Sequence, residues 1–335
     1  MTPVSAMSAA KFQFPIVDFD PFLSGDPAGK RRVAQSLIDV CKGPGFLYLA
    51  NHGVPQSQID AVFAATRQFF SQPLEEKLKV SSPDRKSKGY REYGFFHKEG
   101  SDKRPMPDLQ EHFIFQHELP PDDPDILAGN RVHALNRWPD NLPGWKETLL
   151  GYFDAVERLS LQMMSAFAIA LELREDYFMQ FFRKPTSGMK IFHYPAQPPV
   201  AHGKRIGLGA HYDDGALTVL LQDNVGGLQV QVGNDWMNVT PITGTFVINI
   251  GEIMARWVDD MFIPTPHRVV NVSGRERYSI PFFLLPDWDA MIAAAPTCRG
   301  PDNRMKYIPR RAAYFQTRAF RTQNWLDRQK ARASA

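Results

Sequence analysis

The sequence predicts an α+β fold: helices first, a β core after them, and a closing helix. Three observations carry this. Apolar residues recur at helical spacing through WKETLLGYFDAVERLSLQMMSAFAIALEL (145–173), with Leu149, Phe153, Val156, Leu159, Met163, Phe167 and Leu171 on or near one stripe. From about residue 186 the pattern changes to short β-rich runs between Gly and Pro turns: MKIFHYP, GLGAHYD, ALTVLLQ, GLQVQV, DWMNVT, TFVINI, HRVVNV and YSIPFFLLP. Many short strands in succession imply an antiparallel barrel or sandwich. The chain of 335 residues is 43% hydrophobic, which is enough to bury a large core.

The elements follow in order. Residues 1–10 are small and polar and carry no structural pattern. FPIVDFDPF (14–22) reads as a short strand ending at Pro21, residues 29–42 as a helix, and GFLYLANHG (45–53) as a buried strand stopped by Gly53 and Pro55. Ser57 is placed to cap a helix with apolar positions at Ile59, Val62, Phe63, Phe69 and Phe70. Residues 81–142 are rich in Pro, Asp, Lys and Arg, interrupted by the aromatic clusters YREYGFF (90–96) and HFIF (112–115). They read as long loops and short strands facing a substrate. Residues 309–328 return to a helical pattern.

Composition excludes several classes. Net charge is +3, with 39 basic and 36 acidic residues, so nothing favours nucleic acid or an anionic membrane as partner. Two cysteines far apart, Cys41 and Cys298, suggest a reducing compartment rather than a disulfide framework. The N-terminus lacks a long apolar region and no run reaches the length of a membrane span. A cytoplasmic protein, monomeric or weakly self-associating, is expected. Arg304, Lys306, Arg310, Arg311, Arg318 and Arg321 make the C-terminal region basic, as a solvated helix face would be.

The chemistry concentrates in GLGAHYDDGALTVLLQDNVGGLQVQ (207–231). On a strand, His211 and Asp213 share a face, roughly 7 Å apart along it. Tyr212 and Asp214 then point the other way. Such a pair alone is equally a neutral histidine bonded to a carboxylate in a core. His97 and Glu99 have the same spacing, but HKEGSDKR reads as a solvated loop. His267, in TPHRVVNV, is the candidate third ligand. Two histidines and a carboxylate make the facial triad of non-haem iron(II), and zinc accepts the same donors. In RYSIPFF (277–283), Arg277 and Ser279 share a strand face and suit a carboxylate. A structural ion pair is the alternative for Arg277.

Together these segments resemble the 2-oxoglutarate- and iron(II)-dependent oxygenases of the isopenicillin N synthase-like family, over roughly residues 12–325. HYDDGALTVLLQDNVGGLQV resembles the metal-bearing segment, FVINIGEIMARWVDDMFIPTPHRVV the approach to the second histidine, and RYSIPFF the Arg-x-Ser anchor. FPIVDFDPF and GPGFLYLANHGVPQSQIDAVFAATRQFFSQPLEEKLKV resemble the N-terminal region. The resemblance implies a double-stranded β-helix (jelly-roll, cupin-like) core at 145–330 with its supporting helices. An N-terminal helical and strand region at 12–120 joins it in one compact unit. It implies iron(II) held by His211, Asp213 and His267, with 2-oxoglutarate and O2 as co-substrates. The distal carboxylate of 2-oxoglutarate would meet Arg277 and Ser279, with Tyr194 beside them.

The implied reaction oxidises, most simply hydroxylates, a C–H bond of a small metabolite, with release of succinate and CO2. An oxidase or cyclase without 2-oxoglutarate is the alternative within the family, and a non-enzymatic small-molecule-binding barrel the alternative outside it. Tyr90, Phe113, Phe115 and Phe283 are the candidate substrate contacts; each is equally a core residue. The sequence departs from the family pattern at Phe192, Tyr212 and Glu252. His193 reads as a hydrogen-bonded structural histidine and Asp214 as a turn or ion-pair residue.

Overall fold

The structure, a computed structural model, describes residues 13–81, 88–93, 108–130, 132–196, 207–317 and 327. The first half contains β1 (Ile16–Asp18), α1 (Asp20–Leu23), α2 (Pro27–Cys41), β2 (Phe46–Ala50), α3 (Gln56–Phe70), α4 (Leu74–Lys79), β3 (Gly89–Arg91), β4 (Glu111–Gln116) and α5 (Pro124–Leu127). The long helix α6 (Trp145–Ala170) follows. Then come β5 (Gly188–Tyr194), β6 (Leu208–His211), β7 (Leu217–Gln222), β8 (Leu228–Val232), β9 (Asp235–Asn238), β10 (Thr245–Ile250), α7 (Glu252–Trp257), β11 (His267–Val269) and β12 (Arg277–Leu284). The chain closes with β13 (Met291–Ile292), β14 (Arg310–Arg311) and α8 (Ala312–Phe315). Each β-rich run read from the sequence after residue 186 forms a strand.

Two sheets build the core. The larger has the order β1-β2-β10-β7-β12-β5-β4-β3, the smaller β6-β11-β8-β9. This is the expected jelly-roll. Strand register divides the larger sheet into two faces. Leu47, Leu49, Ile248, Val219, Phe282, Ile191, Phe113 and Phe115 form the outer face, in one buried cluster with the stripe of α6 and the apolar sides of α2 and α3. Phe46, Tyr48, Val247, Phe192 and Tyr194 point inward and meet Leu228, Val230 and Val269 of the smaller sheet. The sheet is therefore buried on both faces, which erases simple polar–apolar alternation.

Local chemistry explains the element ends, including three that differ from expectation. Asp26 caps α2 by accepting from the Ala28 and Gly29 amides (3.3 and 2.7 Å). Pro21 lies inside the one-turn helix α1 rather than ending a strand, where its fixed φ suits a first turn. Ser57 does not cap α3. Pro55 takes the N-cap position at φ −61°, ψ 137°, without a side-chain cap, and Ser57 falls in the first turn. The C-terminal run starts as a strand, because Arg310 and Arg311 pair with Ile292 and Met291, before α8 begins. Arg310 and Arg311 are exposed, Lys306 binds Asp260, and Arg318 and Arg321 lie outside the described residues. Cys41 and Cys298 are both free thiols. Among the described residues no helix is long and apolar enough to cross a membrane.

Candidate active site

The smaller sheet supplies the histidines. His211 ends β6 and His267 begins β11, and the two are paired neighbours in the ladder, with ring centroids 4.3 Å apart. Asp213 lies beyond the end of β6, so the period-two argument does not place it. The turn after β6 does. The Asp213 carbonyl accepts from the Glu252 amide (2.9 Å) and the Asp214 carbonyl from the Ile253 amide (3.2 Å), stitching the turn to the start of α7. Gly251 permits that contact, since a Cβ there would sit 2.2 Å from the Gly215 carbonyl oxygen. Glu252 is buried and meets Arg256 on the next turn (3.4 Å), so this departure from the family pattern serves the local packing. Tyr212 is half-buried.

His211 Nε2 lies 3.7 Å from Asp213 Oδ1, and His267 Nε2 lies 3.7 Å from Asp213 Oδ2. One donor atom from each of the three lies within 4.8 Å of the others. Both imidazoles are oriented by backbone. His211 Nδ1–H donates to the Gly209 carbonyl (2.8 Å) and His267 Nδ1–H to that of Thr265 (3.2 Å), which leaves Nε2 of each free for a metal. Asp213 Oδ2 accepts from Thr218 Oγ1 (2.6 Å) and Asn249 Nδ2 (2.8 Å). Burial, then the neighbouring His267, pushes the His211 pKa down to about 4. Burial pushes the Asp213 carboxyl up, but the two histidines and the two hydrogen bonds outweigh it and leave it below the ordinary range. Two imidazoles and a carboxylate converging on one point are a donor set that fits iron(II).

Thr218 and Asn249 escaped the sequence reading. The signal was there: each is a polar residue inside an apolar strand, LTVLLQ and TFVINI. Thr218→Val keeps the shape and removes the hydroxyl. We expect iron(II) affinity to fall about tenfold with the fold intact, measured by competition with a chelator.

The larger sheet supplies the second group of candidates. Arg277 and Tyr194 are cross-strand partners, as are Ser279 and Phe192, all facing inward. Arg277 is fully buried. Its Nε donates to the Gly226 carbonyl (2.6 Å), its Nη1 to Ser279 Oγ (3.0 Å), and its carbon centre lies 4.8 Å from the Tyr194 ring. Its Nη2 has no hydrogen-bond partner among the described residues. Neither do the two amide atoms of Gln222, which lies across the ladder from Ser279. Unsatisfied buried donors of this kind are costly. A carboxylate between them would satisfy the guanidinium, so the distal end of 2-oxoglutarate fits here. Phe192 stacks on Tyr194 (5.7 Å) and lies tilted against His112 (5.2 Å), so it packs this wall without hydrogen bonding.

The substrate candidates divide. Phe283 faces inward, opposite Thr218. Tyr90, Phe113 and Phe115 do not contact the site, a correction to the sequence reading. They lie on the outer face and are fully buried, the two Phe rings against Trp138 and Trp145 and Phe153, and the Tyr90 hydroxyl donating to Glu111. The inward residues of the same strands are Arg91, His112 and Ile114. His193 points outward and bonds Glu111 (2.7 Å), as a structural histidine. His97 and Glu99 lie outside the described residues.

Comparison with known proteins agrees with this geometry. Residues 14–141 match the family described as the N-terminal region of the non-haem dioxygenase in morphine synthesis, and residues 185–286 match the 2OG-Fe(II) oxygenase superfamily. The 2-oxoglutarate-Fe(II) type oxidoreductase hxnY of Emericella nidulans is 34% identical over 302 residues, covering 88% of this chain and 86% of the relative. The chain belongs to the 2OG-Fe(II) oxygenase superfamily. The 2-oxoglutarate-dependent dioxygenase citB of Monascus ruber is 32% identical over 293 residues, covering 84% and 87%. Among solved structures, a full-length Neurospora crassa protein in complex with α-KG and thymine superposes with a TM-score of 0.80 at 29% identity, covering 92% of this chain and 97% of that one. This oxygenase is accordingly a 2-oxoglutarate-dependent non-haem iron dioxygenase, and His211, Asp213 and His267 are its facial triad. The oxidase without 2-oxoglutarate and the non-enzymatic barrel both fall away.

Proposed function

We propose that this oxygenase hydroxylates a C–H bond of a small organic metabolite. The balance is one substrate, one 2-oxoglutarate and one O2 giving hydroxylated substrate, succinate and CO2. One oxygen atom enters the succinate and the other the product. Iron(II), when bound, supplies the activation of O2. The protein's part is geometry. Asp213 contributes negative charge, Thr218 and Asn249 fix its orientation, and the two backbone carbonyls fix the imidazoles. Arg277, Ser279 and Tyr194 seat the co-substrate at the far end of the barrel. The observation that carries this reading is the buried Arg277 with one N–H unpartnered among the described residues, on the same inner face as Thr218. Between the two sheets, Phe46, Tyr48, Val247 and Phe192 pack on Leu228, Val230 and Val269, an apolar stretch of the inner wall that limits the access of water.

Two measurements test it. Purified enzyme with iron(II) and a turned-over substrate should form succinate and hydroxylated product in equal amounts; turnover without 2-oxoglutarate would sink the proposal. Arg277→Met should weaken 2-oxoglutarate binding at least ~30-fold, since truncating a buried charge partner costs about 2 kcal/mol or more. Unchanged 2-oxoglutarate affinity in a folded variant would remove Arg277 from that role.

A further inference from the structure

We propose that Gln222 is a further binding residue for the co-substrate, its side-chain amide donating to the distal carboxylate of 2-oxoglutarate beside Arg277. The inference rests on the seat at Arg277 proposed above and deepens it.

Strand register sets the place. Gln222 ends β7 and lies directly across the ladder from Ser279. Residues paired in this way hold their Cβ atoms about 5 Å apart on one face of the sheet. Ser279 Oγ accepts from Arg277 Nη1 (3.0 Å), so amide, hydroxyl and guanidinium share one patch of the inner face. Ser279 has a second cross-strand neighbour, Phe192 on β5. A phenyl ring offers a carboxylate no conventional hydrogen bond, which leaves Gln222 as the polar neighbour of the pair. Thr218, which holds Asp213, is four residues back along β7, roughly 13 Å. Leu220, packed in the inner cluster, separates the two. The amide therefore belongs to the co-substrate end of the barrel and not to the triad.

The unpartnered atoms indicate the ligand. Oε1 and Nε2 of Gln222 are both closed off from solvent without a hydrogen-bond partner among the described residues, and so is Arg277 Nη2. A buried amide stripped of its partners is costly, and folded proteins seldom leave one so. Two donors reaching from neighbouring strands, one cationic and one neutral, match the two oxygens of a carboxylate. The amide oxygen is an acceptor, which a carboxylate cannot satisfy. A water donating one hydrogen to it and the other to the carboxylate completes the set.

The patch is held in place by the turn that follows β7. Arg277 Nε donates to the Gly226 carbonyl in that turn (2.6 Å). Asp223, next to Gln222, fastens the same turn to β12. Its carboxylate accepts from the amides of Val225 (2.9 Å) and Tyr278 (2.5 Å), and its own amide donates to the Tyr278 carbonyl (3.2 Å). One turn thus fixes both the guanidinium and the strand end that carries Gln222. Groups positioned in advance lower the ordering cost of binding.

The test uses the full chain loaded with iron(II) and kept free of oxygen, with 2-oxoglutarate titrated calorimetrically. Gln222→Met keeps the length of the side chain and removes the amide. It should bind 2-oxoglutarate at least tenfold more weakly, since a hydrogen bond to a charged group is lost, while iron(II) affinity stays within twofold. The melting temperature of the variant without 2-oxoglutarate should not fall, because no bond within the protein is broken. Gln222→Glu is the second variant. Its carboxylate would pair with Arg277 and repel the ligand, weakening 2-oxoglutarate at least a hundredfold. A loss smaller than tenfold in Gln222→Met, or one matched by an equal loss of iron(II) affinity, would overturn the inference. So would a Gln222→Glu variant that still binds 2-oxoglutarate like the wild type. Wild-type enzyme unable to bind 2-oxoglutarate, or Arg277→Met binding it unchanged, would instead overturn the seat on which the inference rests.

Discussion

Asp213→Ala yields a folded protein that has lost more than ~100-fold in iron(II) affinity and forms no succinate. The magnitude follows from the site. Disturbing the groups that merely orient a metal ligand costs about 10- to 100-fold in affinity, so deleting the ligand itself exceeds that range. Asp213 is also the sole carboxylate among the three donors, and without it two imidazoles remain to hold a dication. The substitution strands the Thr218 hydroxyl and the Asn249 amide, which both donate to Oδ2 and are both buried. Leaving such groups unpaired costs about 1–3 kcal/mol each, partly relieved by water entering the space left by the carboxylate. Metal analysis after anaerobic reconstitution, with a melting curve beside it, separates the two effects. Stoichiometric iron in the variant would show that the triad is not the iron site.

The same residue shows how much was legible from the sequence. His211 and Asp213 were found by a strand argument, and the strand ends at His211. The pair converges because the turn after β6 is pinned to α7, a tertiary contact that no spacing rule contains. What identified the site was the joint order of His-x-Asp, the later histidine and Arg-x-Ser. The fold was legible for a plainer reason, since Gly and Pro turns separate the strands of the core and an apolar stripe marks α6.

The failures share one physical cause. In β4, Phe113 and Phe115 alternate with His112 and Ile114, and the aromatic side was assigned to the pocket. The sheet is buried on both faces, so hydrophobicity does not say which face is the barrel interior. The face under the helices is the more apolar one, because nothing polar has to work there. Thr218, Asn249, Arg91 and Lys190, polar residues that the sequence reading did not single out, lie on the inward register. For a sheet of this kind, a polar residue within an apolar strand is a better pointer to the site than an aromatic one.

One polar group on the outer face breaks that rule, and it carries the largest expected effect on stability. Glu111 is buried and accepts from Lys77 Nζ (2.8 Å), Tyr90 Oη (2.5 Å), Tyr93 Oη (2.9 Å) and His193 Nδ1 (2.7 Å). Burial pushes its carboxyl pKa up, but the His193, Lys77 and Tyr90 hydrogen bonds outweigh it and bring the carboxyl down to about 2. A depressed carboxyl stabilises the fold above its unfolded pKa of about 4.3, and the stabilisation disappears as pH falls from there toward 2. At neutral pH the contribution is on the order of 3 kcal/mol. Glu111→Gln should therefore cost about 3–5 kcal/mol in urea unfolding, since it leaves the buried Lys77 ammonium without a counter-charge. Its acid denaturation between pH 4 and 2 should be shallower than that of the wild type. Lys77→Met combined with Glu111→Leu should recover part of the loss, because removing both charges is far cheaper than removing one. A Glu111→Gln variant with the wild-type urea midpoint would refute the account. The network also reaches the site. His193, held by Glu111, and Tyr194, against Arg277, are successive residues of β5 facing opposite sides of one sheet. Releasing the outer side chain loosens the strand that seats the inner one. We expect weaker 2-oxoglutarate binding in Glu111→Gln as well, although Glu111 itself faces away from the barrel interior.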